Sequence, residues 1–207
     1  WDTLDESQRK ELLGQLHGLD FEGIVALQRL LRGASAEVEC ETVEPAPVTM
    51  LEGEARAAAV GEGESLLRDG KVGVVVVAGG QGSRLGFEGP KGAYRIGPVS
   101  NASLFEIHAH KVLALEQTCA TEVPLYLMTS QTNDHDTRAF FETNHYFGLS
   151  PERVMFFTQG MWPALTADGK IILEEPGEVF LSPDGHGGIV AAMQKEGVFK
   201  DMRRRGV

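Results

Sequence analysis

Gly79, Gly80, Gln81, Gly82, Ser83 and Arg84 follow directly on a run of valines, and Pro90-Lys91-Gly92 comes shortly after. Residues with little side chain let backbone N–H groups approach an anion closely. Arg84 can grip phosphate oxygens in two places, and Lys91 adds a compact point charge. A glycine cluster alone could be no more than a tight turn. Joined to these two cations at the carboxyl end of a buried strand, it points to a nucleotide-phosphate site.

Two common phosphate loops do not fit. The dinucleotide pattern G-x-G-x-x-G, begun at Gly80, requires glycine where Leu85 stands, and Glu106 falls at a helix start rather than at the end of a second strand. The pattern G-x-x-x-x-G-K-[ST] fails because Lys91 is followed by Gly92. A second glycine-rich stretch, Pro183-Asp184-Gly185-His186-Gly187-Gly188, lies further on.

The elements that must hold these loops can be read from periodicity. Val72 to Val77, broken only by Gly73, reads as a strand buried on both faces of a parallel sheet. Ser103 and Glu106 have capping-box spacing ahead of a helix with Leu104, Ile107, Val112 and Leu113. Val123 to Met128 and Val154 to Phe157 are further strands, with a helix over Asn133 to His145 between them. Asp168-Gly169 between Leu165 and Ile171 is a hairpin signal, and Val179 to Leu181 a short strand. Alternating strands and helices give a doubly wound α/β class. The first 70 residues read as a separate helical region and linker, with a boundary at residues 70 and 71. Thr3 and Glu6 have capping-box spacing there, two helices meet near Gly18, and Gly33 to Pro47 is an extended linker.

Composition narrows the partners. Apolar residues make up 42% of the chain, which is ample for a core. A net charge of −11 disfavours nucleic acid, while leaving room for a small anion in a local pocket of amides and cations. Cys40 and Cys119 form no Cys-x-x-Cys pair, which argues against a zinc site or disulfide framework and suits the cytoplasm. No apolar run nears the roughly 20 residues that span a bilayer, and Trp1 to Lys10 is too polar for a signal peptide. His108 and His110 do not share a helix face. Asp134-His135-Asp136 reads as a solvated helix start and Arg203 to Arg205 as a solvated helix end.

Ala78 to Gly86 followed by Pro90 to Gly92 resembles the signature of the UDP-N-acetylglucosamine and related UDP-sugar pyrophosphorylases, Ala-Gly-Gly-Gln-Gly-(Thr/Ser)-Arg-Leu-Gly then Pro-Lys-Gly. Leu104 to Ala109, Leu125 to Ser130, Tyr146 to Leu149, Phe156 to Pro163 and Ser182 to Gly188 continue the likeness in order, over roughly Lys71 to Met193. The resemblance implies a Rossmann-like nucleotide-sugar transferase fold with a mixed sheet, joining a uridyl group from UTP to a sugar 1-phosphate. It implies that Ala78, Gly79, Gly80, Gln81, Gly82 and Ser83 hold the nucleotide, that Arg84 and Lys91 are catalytic, and that Mg²⁺ bridges the phosphates beside them. Gln159 would read the uracil edge and Gly185 would approach the base. His186 would meet the sugar, where many members carry Asn. Trp162-Pro163 could shape the uridine pocket or simply pack. N-acetylglucosamine 1-phosphate is the favoured sugar.

Glucose 1-phosphate, a different nucleotide, and a module that binds without chemistry stay open as alternatives. The family's metal-binding Asp lies on a strand after the second glycine loop, and no such strand is expected before Val207. The sheet is therefore expected to be incomplete, the isolated chain to bind UTP weakly and turn over poorly, and the open sheet edge to favour self-association.

Overall fold

The computed structural model describes residues 1–33 and 44–207, so Cys40 and most of the expected linker lie outside the described residues. The chain opens with α1 (Glu6–His17), α2 (Phe21–Gly33) and α3 (Gly53–Arg68). β1 (Val74–Val77), α4 (Leu104–Cys119), β2 (Leu125–Thr129), α5 (Asp134–Thr143) and β3 (Val154–Thr158) follow in alternation. Four short strands come next: β4 (Met161–Pro163), β5 (Leu173–Glu175), β6 (Glu178–Val179) and β7 (Leu181–Pro183). α6 (Ile189–Lys195) and α7 (Val198–Arg205) complete the order. No described helix is long and apolar enough to cross a membrane.

These elements form two compact units. One comprises Trp1–Thr49 and Met161–Pro183, the other Met50–Gly160 and Asp184–Val207. The division therefore does not fall at residues 70 and 71. α3 belongs with the α/β unit, and the short strands Met161–Pro183 belong with the N-terminal helices.

In the α/β unit, β1, β2 and β3 form a parallel sheet in that order, with Val74 opposite Leu125 and Leu125 opposite Val154. Parallel neighbours need crossovers, which α4 and α5 supply. The strand buried on both faces is β2, not β1. Every residue of β2 is buried, whereas β1 is half-buried and Val77 is exposed. β1 lies at a sheet edge, which is why its valine run misleads.

Alternation along β2 builds two cores. Leu125 and Leu127 pack with Phe105, Ala109 and Val112 of α4 and Phe141 of α5. Tyr126 and Met128 pack with Phe157, Ala192, Met193 and Val198 on the other face. Helices thus cover both faces, as a doubly wound class requires. In the other unit the antiparallel pairs β4–β7 and β5–β6 form two small ribbons.

The capping box at α4 is present, with Ser103 Oγ accepting from Glu106 N–H. At α1 the box is Asp5 with Gln8, not Thr3 with Glu6. Gln8 N–H donates to Asp5 Oδ1 at 2.8 Å, and Asp5 N–H donates to Gln8 Oε1 at 3.0 Å. The same S/T/D-x-x-E/Q spacing occurs in both registers, and the later one is used. Gly18 ends α1, and Asp20 Oδ1 accepts from Gly23 N–H at 3.0 Å to start α2. In this N-terminal unit the Asp168-Gly169 hairpin forms, with Leu165 paired to Ile171 and Gly169 at φ 85°. Gln28 Nε2 donates to its Gly169 carbonyl at 2.6 Å.

Tyr126 has no exposed surface, and its hydroxyl donates to Asp201 Oδ2 at 3.0 Å. Burial, then the Asp201 hydrogen bond, push its pKa up to about 12. Between pH 10 and about 12 the unfolded phenol is ionised while the folded one keeps its proton, so folding stability falls as pH rises through that window. Denaturant titrations at pH 9 and pH 11.5 should show this loss in the parent and a smaller one in Tyr126→Phe. Equal losses in both would contradict the assignment.

Candidate nucleotide site

The carboxyl ends of β1, β2 and β3 meet in one place. Ala78 N–H donates to Met128 O at 2.7 Å, and Gln159 N–H donates to Thr129 O at 2.9 Å. Past Ala78 the chain leaves the sheet and folds back on itself. Gly82 N–H donates to Gly89 O at 2.9 Å, and Lys91 N–H donates to Gly80 O at 2.9 Å, bracketing a Gln81–Pro90 bridge. Ser83–Leu85 forms a 3-10 turn closed by Gly86 at φ 66°. The loop is therefore a hairpin-like turn whose two limbs are joined backbone to backbone.

Within it, the N–H groups of Gly79, Gly80 and Gln81 donate to no backbone or side-chain acceptor among the described residues. Consecutive unengaged amides form an anion-binding concavity. Close packing favours glycine at Gly79 in this run and at Gly82 just beyond it. A Cβ on Gly79 would lie 2.8 Å from Gln159 Nε2, and a Cβ on Gly82 would lie 2.9 Å from the Phe87 carbonyl. Lys91 runs beside Gly80, its Nζ 3.6 Å from where a Cβ would stand there. Arg84 and Lys91 are both exposed, and neither forms an ion pair with a described residue. Ser83 and Gln81 border a cavity of about 540 Å³ together with Phe87, Glu88 and Asp136.

Gln159 is buried at 7% exposure and packs its amide against Gly79, so the end of β3 touches the glycine loop of β1. Gly185 and His186 begin a 3-10 turn over Gly185–Gly188 that runs straight into α6, with Gly185 at φ 63° and His186 exposed. This second loop is tied to the segment just after β3 through Asp184, whose N–H donates to Gly160 O at 3.1 Å. The Asp184 carboxylate fills the space that a Cβ on Gly160 or on Gly188 would need, and its Oδ1 is buried without a hydrogen-bond partner.

Ala78, Gly79, Gly80, Gln81, Gly82, Ser83, Arg84, Lys91 and Gln159 are thus one connected constellation, and Gly185 and His186 belong to the same compact unit. Trp162 is not: its ring packs within the N-terminal unit, where a Cβ on Gly23 would lie 2.5 Å from Cη2. His108 is partly buried, with its pKa lowered by desolvation and by Lys111. No group of three or more His, Cys, Asp or Glu among the described residues could hold a metal ion.

Two residues at the site carry no motif of their own. In the sequence Asp184 is one member of a glycine-rich stretch. Asn133 marks a helix start, yet it is fully buried with hydrogen bonds to Ala78, Gly80 and Ser130. An Asn at a helix start just beyond a strand end was the available signal.

The model of the UTP–glucose-1-phosphate uridylyltransferase family matches residues 24–207. The chain belongs to that family. Among curated relatives, UDP-N-acetylglucosamine diphosphorylase 1 of Arabidopsis thaliana is 36% identical over 225 residues, covering 100% of this chain and 44% of the relative. A probable UDP-N-acetylglucosamine pyrophosphorylase of Schizosaccharomyces pombe is 40% identical over 147 residues, covering 67% of this chain and 31% of the relative. The chain therefore spans less than half the length of these relatives. Among solved structures, the uridine diphosphate N-acetylglucosamine pyrophosphorylase of Trypanosoma brucei superposes with a TM-score of 0.78 at 28% identity, over 98% of this chain and 45% of that one. A UDP-glucose pyrophosphorylase of Leishmania major shares the fold, with a TM-score of 0.60 at 16% identity over 99% of this chain and 42% of that one.

The family loop is anchored next to Gly92, which packs on the ring of buried Phe105. A Cβ at Gly92 would lie 2.1 Å from Phe105 Cζ, and that ring is fixed edge-on to Phe141 at 5.2 Å. Gly92→Ala should therefore destabilise the fold by about 1–3 kcal/mol through overpacking. A denaturation midpoint unchanged from the parent would show that the ring is free to move away.

Proposed function

We propose that this chain supplies the nucleotide-binding half of a UDP-sugar pyrophosphorylase, making UDP-sugar and pyrophosphate from UTP and a sugar 1-phosphate. The observation that carries the reading is the cradle itself: free amides at Gly79, Gly80 and Gln81, flanked by exposed Arg84 and Lys91, with the Gln159 amide packed on Gly79. The names of the relatives favour N-acetylglucosamine 1-phosphate as the sugar. Glucose 1-phosphate is the second reading, favoured by the family description.

The chemistry follows from charge. A sugar 1-phosphate is largely dianionic near neutral pH, since its second pKa is about 6. Its oxygen is nucleophilic without a general base, and attacks the α-phosphorus of UTP while pyrophosphate leaves. The chain's part is to position the triphosphate and offset its charge. Backbone N–H groups of the loop would donate to phosphate oxygens. Arg84 and Lys91 would stabilise the charge that develops as the leaving group departs. An amide offers both a donor and an acceptor, so Gln159 suits the imide edge of uracil. Gly185 would let backbone approach the base, and His186 would donate to a sugar hydroxyl.

Mg²⁺ is the expected companion of the triphosphate. Phosphate oxygens and water would supply most of its ligands, since Mg²⁺ prefers them with one or two carboxylates over an all-protein cage. The free edge of β1 would favour self-association, which sedimentation would exclude by showing monomer alone.

Calorimetric titration with UTP, ATP and NAD in Mg²⁺ tests the reading. UTP should bind and the others should not. Arg84→Ala should weaken UTP by about 10- to 100-fold, the worth of hydrogen bonds to a charged group. Binding of NAD in place of UTP, or an Arg84→Ala affinity equal to the parent's, would overturn it.

A further inference from the structure

Asn133 sits at the N-cap of α5 with 0% exposure. Its Nδ2 donates to the carbonyl of Ala78 at 2.9 Å and to the carbonyl of Gly80 at 3.2 Å. Its Oδ1 accepts from Ser130 N–H at 2.9 Å, at the end of β2. One side-chain amide thus clamps two alternate carbonyls of the glycine loop to the neighbouring strand.

The peptide plane turns this clamp into a statement about the amides. In a trans peptide the C=O of one residue and the N–H of the next share a plane and point in opposite directions. Drawing the Ala78 and Gly80 carbonyls toward Asn133 therefore turns the N–H groups of Gly79 and Gln81 away from it, on a common side. Those N–H groups are two of the three unengaged amides. Glycine residues have no side chain to fix these planes, and Gly79 and Gly80 left alone would sample many orientations. The Lys91 N–H also donates to Gly80 O at 2.9 Å, so the second plane is held from two directions.

We propose that Asn133 is a positioning residue for the nucleotide-phosphate cradle: it aims the Gly79 and Gln81 amides at the ligand by holding the carbonyls behind them. The claim rests on the phosphate-site reading given above. Asn suits the task because its NH₂ carries two hydrogens on one side and its oxygen accepts on the other. An aspartate keeps the shape and the acceptor for Ser130, but faces the two loop carbonyls with an oxygen. A serine is a favourable N-cap residue, although Asn133 itself makes no side-chain cap hydrogen bond, and it cannot reach both carbonyls.

The test is UTP affinity of Asn133→Asp and Asn133→Ser, measured with Mg²⁺ well below the melting temperature of each variant. Folding is checked by near-UV circular dichroism, and the serine variant carries the test if the aspartate variant does not fold. A role confined to stability would lower the melting temperature and leave the affinity of the folded protein unchanged. The expected result is at least a tenfold weaker UTP dissociation constant with a parent-like spectrum. Parent UTP binding together with variant affinity within twofold of it would overturn the role of Asn133 and leave the site reading intact. Absence of UTP binding by the parent would overturn both.

Discussion

Complete burial of β2 on both faces is the constraint from which the α/β unit follows. A five-residue strand with no exposed side chain must find apolar partners above and below, and parallel neighbours on each side for its backbone. Leu125 and Leu127 take α4 and α5, while Tyr126 and Met128 take α6 and α7. With the layers fixed, the carboxyl ends of three strands must lie together. Those ends are where Gly79, Asn133 and Gln159 stand, one after each strand.

The loop binds its own geometry in before any ligand does. Carbonyls of Ala78 and Gly80 are occupied by Asn133 and Lys91, while the amides between them are left over. Donors with no internal acceptor in a net-acidic protein are a local exception to the global charge of −11. A concave set of amides and two nearby cations sets the field felt at short range, and distant surface carboxylates are screened over about 8 Å at physiological salt. A small anion and an acidic protein surface are compatible for this reason.

Much of this was legible in the sequence. The glycine loop, Arg84, Lys91 and Gln159 carry a local pattern, and local patterns survive translation into structure. Ser103 with Glu106 did cap its helix, because one register alone was available. Thr3 with Glu6 did not, because Asp5 with Gln8 competes in the next register and wins. The valines before the loop overstate burial, since β-branched runs serve sheet edges as well as sheet centres. Unit boundaries were not legible, because Met161–Pro183 joins residues remote in sequence. Asn133 and Asp184 were missed for a related reason: their partners lie on other elements, and neither residue type announces a clamp without them.

Amide-resolved NMR during a UTP titration in Mg²⁺ measures most directly where the ligand's phosphates meet the backbone. The Gly79, Gly80 and Gln81 N–H resonances should move furthest, downfield as they gain a hydrogen bond, together with the Gln159 side-chain amide. Saturable shifts clustered elsewhere, with these resonances still, would contradict this placement.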